Sequence, residues 1–221
     1  MKQPLGQLKK AELVYLATHR CEHRHLLIEH QNCIPKPITR LGHLDIETSN
    51  LDADYGFIIS WCILDDDTDE IIHDEITKAD IDKAKDGDED KRVVGTLVTA
   101  LKTFDHVTTF YGSNFDIPYI RTRALITGQD FPEIGTMYHT DVYFWAKFKL
   151  KLSRNGQDQV CRTILHATEK TRVDGSVWRQ AARGNKKAIG YILDHNERDV
   201  RDLKRIYHKL MPYVRGTRRS I

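Results

Sequence analysis

Three short stretches of the chain place carboxylates, and in one case an imidazole, at spacings that could hold a metal ion. In Leu44-Asp45-Ile46-Glu47-Thr48 the two acids are two residues apart. Positions i and i+2 of a strand share a face, so Asp45 and Glu47 project together while Ile46 points the other way. Two carboxylates at the end of a buried strand repel each other and resist losing water, and a divalent cation relieves both problems. Hard oxygen ligands suit Mg²⁺ or Mn²⁺. In Tyr111-Gly112-Ser113-Asn114-Phe115-Asp116 a small strand runs into a helix with Asp116 in its first turn. In His195-Asn196-Glu197-Arg198-Asp199 the histidine and the last acid are four apart and share one face of a helix. A metal-held acid with an ionisable group one turn away suits activation of a water nucleophile. Singly, each stretch has a structural explanation: a polar strand end, an acid that satisfies free N–H groups at a helix start, or an exposed His–Asp pair. Their combination in one chain carries more weight than any one of them.

Apolar patterning indicates the elements that must bring these residues together. Residues 39–46 read as a strand entering the core. Tyr55–Leu64 reads as a second strand, rich in aromatic and β-branched residues. Residues 65–70 read as a turn and residues 70–77 as a third strand, which predicts an antiparallel meander. A charged loop is expected over residues 78–91. A helix from about Asp90 to Phe104 puts Val93, Val94, Leu97, Leu101 and Phe104 on one stripe. A short strand at 106–112, a helix starting near Asn114 with Pro118 in its first turn, and a fifth strand in 137–142 follow. From Phe144 onward the pattern is mostly helical, and Val200, Leu203, Ile206, Tyr207, Leu210, Met211 and Val214 keep helical spacing. The expected class is α/β: a mixed sheet, an antiparallel three-stranded meander plus parallel strands, flanked by helices. Three segments are expected: 1–38, with a short amphipathic helix over 7–18 and a His/Cys-rich stretch; a domain over 39–214; and a basic tail, 215–221.

Composition narrows the function classes. With 40% hydrophobic and 30% charged residues among 221, the chain is a folded globular protein rather than a disordered one. No run of eighteen apolar residues exists, so no membrane span is expected. The N-terminal stretch lacks the apolar core of a signal peptide, which makes the cytoplasm the expected compartment. Four cysteines do not make a disulfide framework in a chain of this length. Residues 45–90 hold seventeen acids against three lysines, and residues 146–187 hold eleven Lys or Arg against three acids. An acidic centre beside a basic surface is what a protein that binds metal and a phosphate backbone needs. Within the His/Cys-rich stretch, Cys21, His23, His30 and Cys33 could supply the four ligands of a structural Zn²⁺. Their spacing is not that of a standard finger, and His19 and His25 leave the ligand set open. A histidine-rich helix surface with two buried thiols is the alternative.

The segments LDIETSNLDADYGFIISWCI, FYGSNFDIPYI, HTDVYFWAKFKLKLS and YILDHNERDVRDLKRIY together resemble the DEDD superfamily of 3′→5′ exonucleases, on the ribonuclease-H-like fold. Within it, the chain is most similar to small bacterial and phage predicted exonuclease proteins. The likeness runs from about Leu41 to about Leu210. It implies that Asp45, Glu47, Asp116 and Asp199 hold two Mg²⁺ or Mn²⁺ ions. It also implies that His195 positions or deprotonates the attacking water, with Glu47 helping to place that water. One subgroup of the family carries Tyr four residues before the last acid, and the other carries His five before it. Here His195 stands at the four-residue spacing, so the chain combines the residue of one subgroup with the register of the other. The implied substrate is nucleic acid with a 3′ end, single-stranded for preference. Asn114, Tyr119 and Lys149 are candidates to touch it through hydrogen bonding, stacking and phosphate contact. A ribonuclease-H-like endonuclease and a non-catalytic nucleic-acid-binding scaffold are the competing readings, because fold alone does not separate them.

Overall fold

The computed structural model describes residues 14, 16–20, 24–29, 40–85, 87–133, 136–166 and 173–214. The chain divides into two units, Met1–Ile38 and Thr39–Ile221. In the first, residues 14 and 16–18 are helical, Leu16 and Leu27 are buried, and Arg20 pairs with Leu26 in an isolated bridge. Cys21, His23, His30 and Cys33, the candidate zinc ligands, lie outside the described residues, as does the 215–221 tail.

The second unit is built on a five-stranded sheet in the order β3-β2-β1-β4-β5. The strands are β1 (Leu41–Thr48), β2 (Ile58–Asp65), β3 (Ile71–Glu75), β4 (His106–Thr109) and β5 (Tyr138–Asp141). The first three form the antiparallel meander, while β1–β4 and β4–β5 pair in parallel. Parallel neighbours need crossover connections, and helices supply them. Helices α1 (Lys78–Lys83) and α2 (Lys91–Leu101) lie between β3 and β4, and α3 (Asp116–Thr127) lies between β4 and β5. Then come α4 (Val142–Lys149), α5 (Gln157–Ile164), α6 (Gly175–Ala181) and the 29-residue α7 (Lys186–Val214). Together they make the mixed α/β sheet flanked by helices that the patterning predicts. No helix among the described residues is long and apolar enough to cross a membrane.

The two faces of β1 are used differently. Leu44 and Ile46 join Trp61 of β2 and Val93, Val94, Leu97 and Leu101 of α2 in the main core, and the Trp61 indole N–H donates to the Val93 carbonyl. On the other face, Cys62 and Leu64 of β2 pack against Val200 of α7. Side chains alternate along a strand, so Asp45 and Glu47 fall on this second face. Gly42 permits the close packing behind β1, since a Cβ there would lie 2.6 Å from Ile63 and 2.9 Å from Phe104.

Where a charged loop was expected, residues 78–83 form α1. Thr77 caps it, accepting from the Asp80 N–H while the Asp80 carboxylate accepts from the Thr77 N–H. The helix buries no residue, so it leaves no apolar stripe in the sequence. The second strand starts at Ile58 rather than at Tyr55, because residues 49–57 form a loop closed by a hydrogen bond from Ser49 N to Phe57 O.

One buried ion pair ties the elements around the sheet's carboxylate end. The Arg123 guanidinium of α3 donates to Asp90 at 2.6–3.2 Å, and both side chains are almost fully buried. It also donates to the carbonyls of Ala53 and Gly87, while Asp90 accepts from the Ile58 N–H. Arg123→Met should therefore lower stability by about 3–5 kcal/mol, because it leaves Asp90 buried and unpaired. Urea unfolding checks this, and a loss under about 1 kcal/mol would contradict the role assigned to the pair.

Two histidines, His106 buried and His139 half-buried, join β4 to β5. His106 Nε2 lies 2.8 Å from Thr140 Oγ1, and His139 Nε2 lies 2.8 Å from Thr109 Oγ1. Burial above all, then the proximity of His139 and His43, lowers the His106 pKa to about 4. The unfolded chain, with a histidine pKa near 6.5, then binds the proton that the folded one refuses. Stability should be full above about pH 6.5 and fall as the pH drops toward about 4. His106→Gln should flatten this part of the pH–stability curve, measured by urea midpoints at pH 4 to 7, and an unchanged slope would refute it.

Candidate active site

Asp45 and Glu47 stand on the last turn of pleat before β1 leaves its pairing with β2. Asp45 is opposite Cys62 and Glu47 opposite Ser60, and the register shifts directly after Glu47. Helix α7 crosses this face and contributes His195, Asn196 and Asp199. His195 Nε2 is 3.6 Å from Glu47 Oε1 and 3.8 Å from Asp199 Oδ2. One ligand atom from each of Glu47, His195 and Asp199 lies within 4.8 Å of the others. Asp116 arrives from the first turn of α3. Its Oδ1 accepts from the Ile46 N–H, the backbone link between the two β1 acids, at 3.2 Å. Asp45, Glu47, Asp116, His195 and Asp199 line one cavity of about 520 Å³, together with Ile46, Phe110, Tyr111, Phe115, Tyr143, Gly156 and Gln157. A larger cavity, of about 840 Å³, opens elsewhere beside α2 and β3. There Asp74 and Asp80 are already paired with Arg92.

The donor set of the smaller cavity fits a hard divalent cation. Asp45, Glu47, Asp116 and Asp199 offer carboxylate oxygens and His195 offers a nitrogen. Asp116 supports the fit. Burial raises its carboxyl well above the ordinary range, outweighing the backbone N–H bonds it accepts, and the nearby charge of Asp141 adds to the rise. A cation would hold that group in its charged form.

The sequence did not point to Asn196 or Gln157, both of which shape this site. Asn196 is fully buried; its Nδ2 donates to Asp45 Oδ2 at 2.6 Å and its Oδ1 accepts from Ser60 Oγ at 3.3 Å. Gln157, at the start of α5, donates to the Asp199 carbonyl at 2.7 Å. Asp141, at the end of β5, accepts from the N–H groups of Tyr111, Ser113 and Tyr143. It thereby holds the turn that leads to Asp116 and caps α4. That turn is strained: Tyr111 has a φ of 70°, and a Cβ on Gly112 would lie 2.3 Å from Thr109 Oγ1. Tyr111 is 4.8 Å from Tyr143 in an edge-on contact, and the two make an aromatic wall on the cavity.

The candidate substrate contacts fall in different places. Asn114 is exposed in the turn before α3, and Lys149 is exposed in the last turn of α4. Tyr119 is only 3% exposed, belongs to the main core and does not line the cavity.

Asn196→Leu should destabilise the fold by about 1–3 kcal/mol, since it strips Asp45 Oδ2 and Ser60 Oγ of their shared partner. Asn196→Asp should cost at least as much, because it sets a second carboxylate against Asp45. Denaturant unfolding at neutral pH checks both, and wild-type stability in Asn196→Leu would rule out the bridging role.

Comparison with known proteins agrees with this architecture. Among solved structures, the chain is similar to a family B DNA polymerase from the hyperthermophilic archaeon Pyrobaculum calidifontis, with a TM-score of 0.64 and 18% identity. The match covers 81% of this chain and 25% of the polymerase chain, so this protein spans about a quarter of that relative's length. At this identity the likeness concerns the fold. No curated protein sequence matches. The RNase_H_2 family model matches residues 43–211, a span that includes every carboxylate of the cavity. The chain thus belongs to the RNase H superfamily.

Proposed function

We propose that this protein is a metal-dependent 3′→5′ exonuclease acting on nucleic acid, single-stranded for preference. The observation that carries the reading is the convergence of Glu47, His195 and Asp199 to within 4.8 Å, with Asp45 and Asp116 in the same cavity. Membership of the RNase H superfamily supports it.

In this reading Asp45, Glu47, Asp116 and Asp199 would hold two Mg²⁺ or Mn²⁺ ions. When bound, these would supply Lewis-acid stabilisation of the charge that develops on the phosphate and on the leaving 3′-oxygen. The remaining work falls to the chain. His195 Nε2, facing the carboxylates of Glu47 and Asp199, takes the proton of the attacking water. The Asn196 amide fixes the Asp45 carboxylate in one orientation. Tyr111 and Tyr143 offer aromatic faces against which a terminal base can stack. The aromatic wall beside the carboxylates favours an unpaired terminal nucleotide over a paired one.

End-labelled single-stranded DNA and RNA, incubated with Mg²⁺, Mn²⁺ or EDTA, test the reading. The expected result is a ladder shortening from the 3′ end in either metal and intact substrate in EDTA. Asp45→Ala and Asp199→Ala should each lower turnover by at least about a hundredfold while leaving the protein folded. Wild-type turnover in either folded variant would sink the residue assignment. Internal cuts would indicate an endonuclease, and binding without cleavage a scaffold.

A further inference from the structure

A second cluster of ligating side chains lies on the face of β1 that carries Asp45 and Glu47. His43, two residues before Asp45, is fully buried, and its Nε2 lies 2.9 Å from Asp66 Oδ1 in the turn after β2. His208 of α7 brings its own Nε2 to 2.6 Å from the same oxygen. The three donor atoms lie within 4.8 Å of one another. None of these residues lines the carboxylate cavity, and the function proposed above uses none of them.

Two features distinguish this cluster from an ordinary ion pair. First, His43 is held at both ring nitrogens: Nδ1 is 2.7 Å from Thr108 Oγ1 on β4. A proton on Nδ1, donated to Thr108, leaves the Nε2 lone pair facing the cluster, which is how metal-ligating histidines are oriented. Second, two imidazoles from different elements address one carboxylate oxygen, so a single cation could replace two protons. Zinc bonds of about 2.0–2.2 Å put ligand atoms about 3.3 Å apart. The present 2.6 and 2.9 Å need only open slightly, and the His208 side chain, 44% exposed, can move. Its exposure also leaves a coordination position to solvent. Lys204 opposes the cation, with Nζ 3.6 Å from Asp66 Oδ1, but it is anchored on Asp69 at 2.8 Å and on the Asp66 carbonyl.

We propose that His43, Asp66 and His208 form a binding site for a transition-metal ion of the zinc class, which fastens α7 to β1 and to the β2–β3 turn. Two nitrogens and one oxygen select Zn²⁺ or Co²⁺ over Mg²⁺ and Ca²⁺. Excess Mg²⁺ would therefore fill the carboxylate cavity and leave this site available.

The test is Co²⁺ and Zn²⁺ titration of the full chain in excess Mg²⁺, read by Co²⁺ absorption, calorimetry and thermal unfolding. Wild type is compared with His208→Gln, His208→Ala and Lys204→Met. Gln keeps an N–H donor toward Asp66 but is a poor metal ligand, so the fold survives while the metal is lost. Uptake by the Cys21–Cys33 segment is common to all four proteins and cancels in the comparison. The expected result is one equivalent bound by wild type that both His208 variants lose or bind at least about tenfold more weakly, with loss of the Zn²⁺-induced rise in melting temperature. Lys204→Met should bind more tightly than wild type. Equal uptake and equal thermal shifts in wild type and the His208 variants would overturn the proposal and leave a hydrogen-bonded clamp.

Discussion

Carboxylates gathered in one cavity repel one another, and the fold must hold them there against that repulsion. Asp45, Glu47, Asp116 and Asp199 come from β1, α3 and α7, so the repulsion acts between elements as well as within β1. The opposing restraint lies outside the cavity. Arg123, two turns after Asp116 on α3, is clasped by Asp90 and by the carbonyls of Ala53 and Gly87. That one guanidinium fastens the helix bearing Asp116 to the loop that follows Glu47 and to the start of α2. Its buried partner Asp90 holds the first N–H of β2 in turn. The positive charge that steadies the acidic site is thus kept one layer away, where it does not neutralise the site.

Helix α7 supplies the other half of the restraint. Its inward stripe changes character along its length. Ile189 and Ile192 join the main core, His195, Asn196 and Asp199 meet the β1 acids, and Leu203, Ile206 and Leu210 pack against α4 and α5. Apolar contacts on both sides of the polar segment fix the helix's rotation. A helix turns about 100° per residue, so a slip of one position would carry both His195 and Asp199 out of the cavity. The i, i+4 register of these two residues works only because the flanking apolar stripe is in phase with it.

The parts of this arrangement that were legible in the sequence obey a local period. Asp45 and Glu47 declared themselves because strand alternation puts both on one face of a segment whose other positions are apolar, and His195 and Asp199 because helical spacing does the same. Helix α1 was illegible because it rests on a capping box and on Arg92 and buries nothing. Asn196 was illegible because its partners, Asp45 and Ser60, are 151 and 136 residues away, and no local pattern marks an amide that bridges such distances. Tyr119 was a candidate substrate contact as an aromatic ring that could stack on a terminal base. Helical spacing runs the other way: Asp116, Tyr119, Ile120 and Arg123 share one buried stripe, so the turn that buries the acid buries the ring as well.

Tyr111 is held in a backbone conformation that glycine or asparagine would adopt with less strain, on a turn that Asp141 pins from two sides. Selection for stability alone would drift toward a smaller residue there, gaining on the order of 1 kcal/mol from relaxed backbone strain. The same drift would remove the ring that meets Tyr143 edge-on in the cavity wall. A thermostabilised lineage of this protein would thus be expected to lose that aromatic wall first at position 111, while its carboxylates and its folding stability gave no warning.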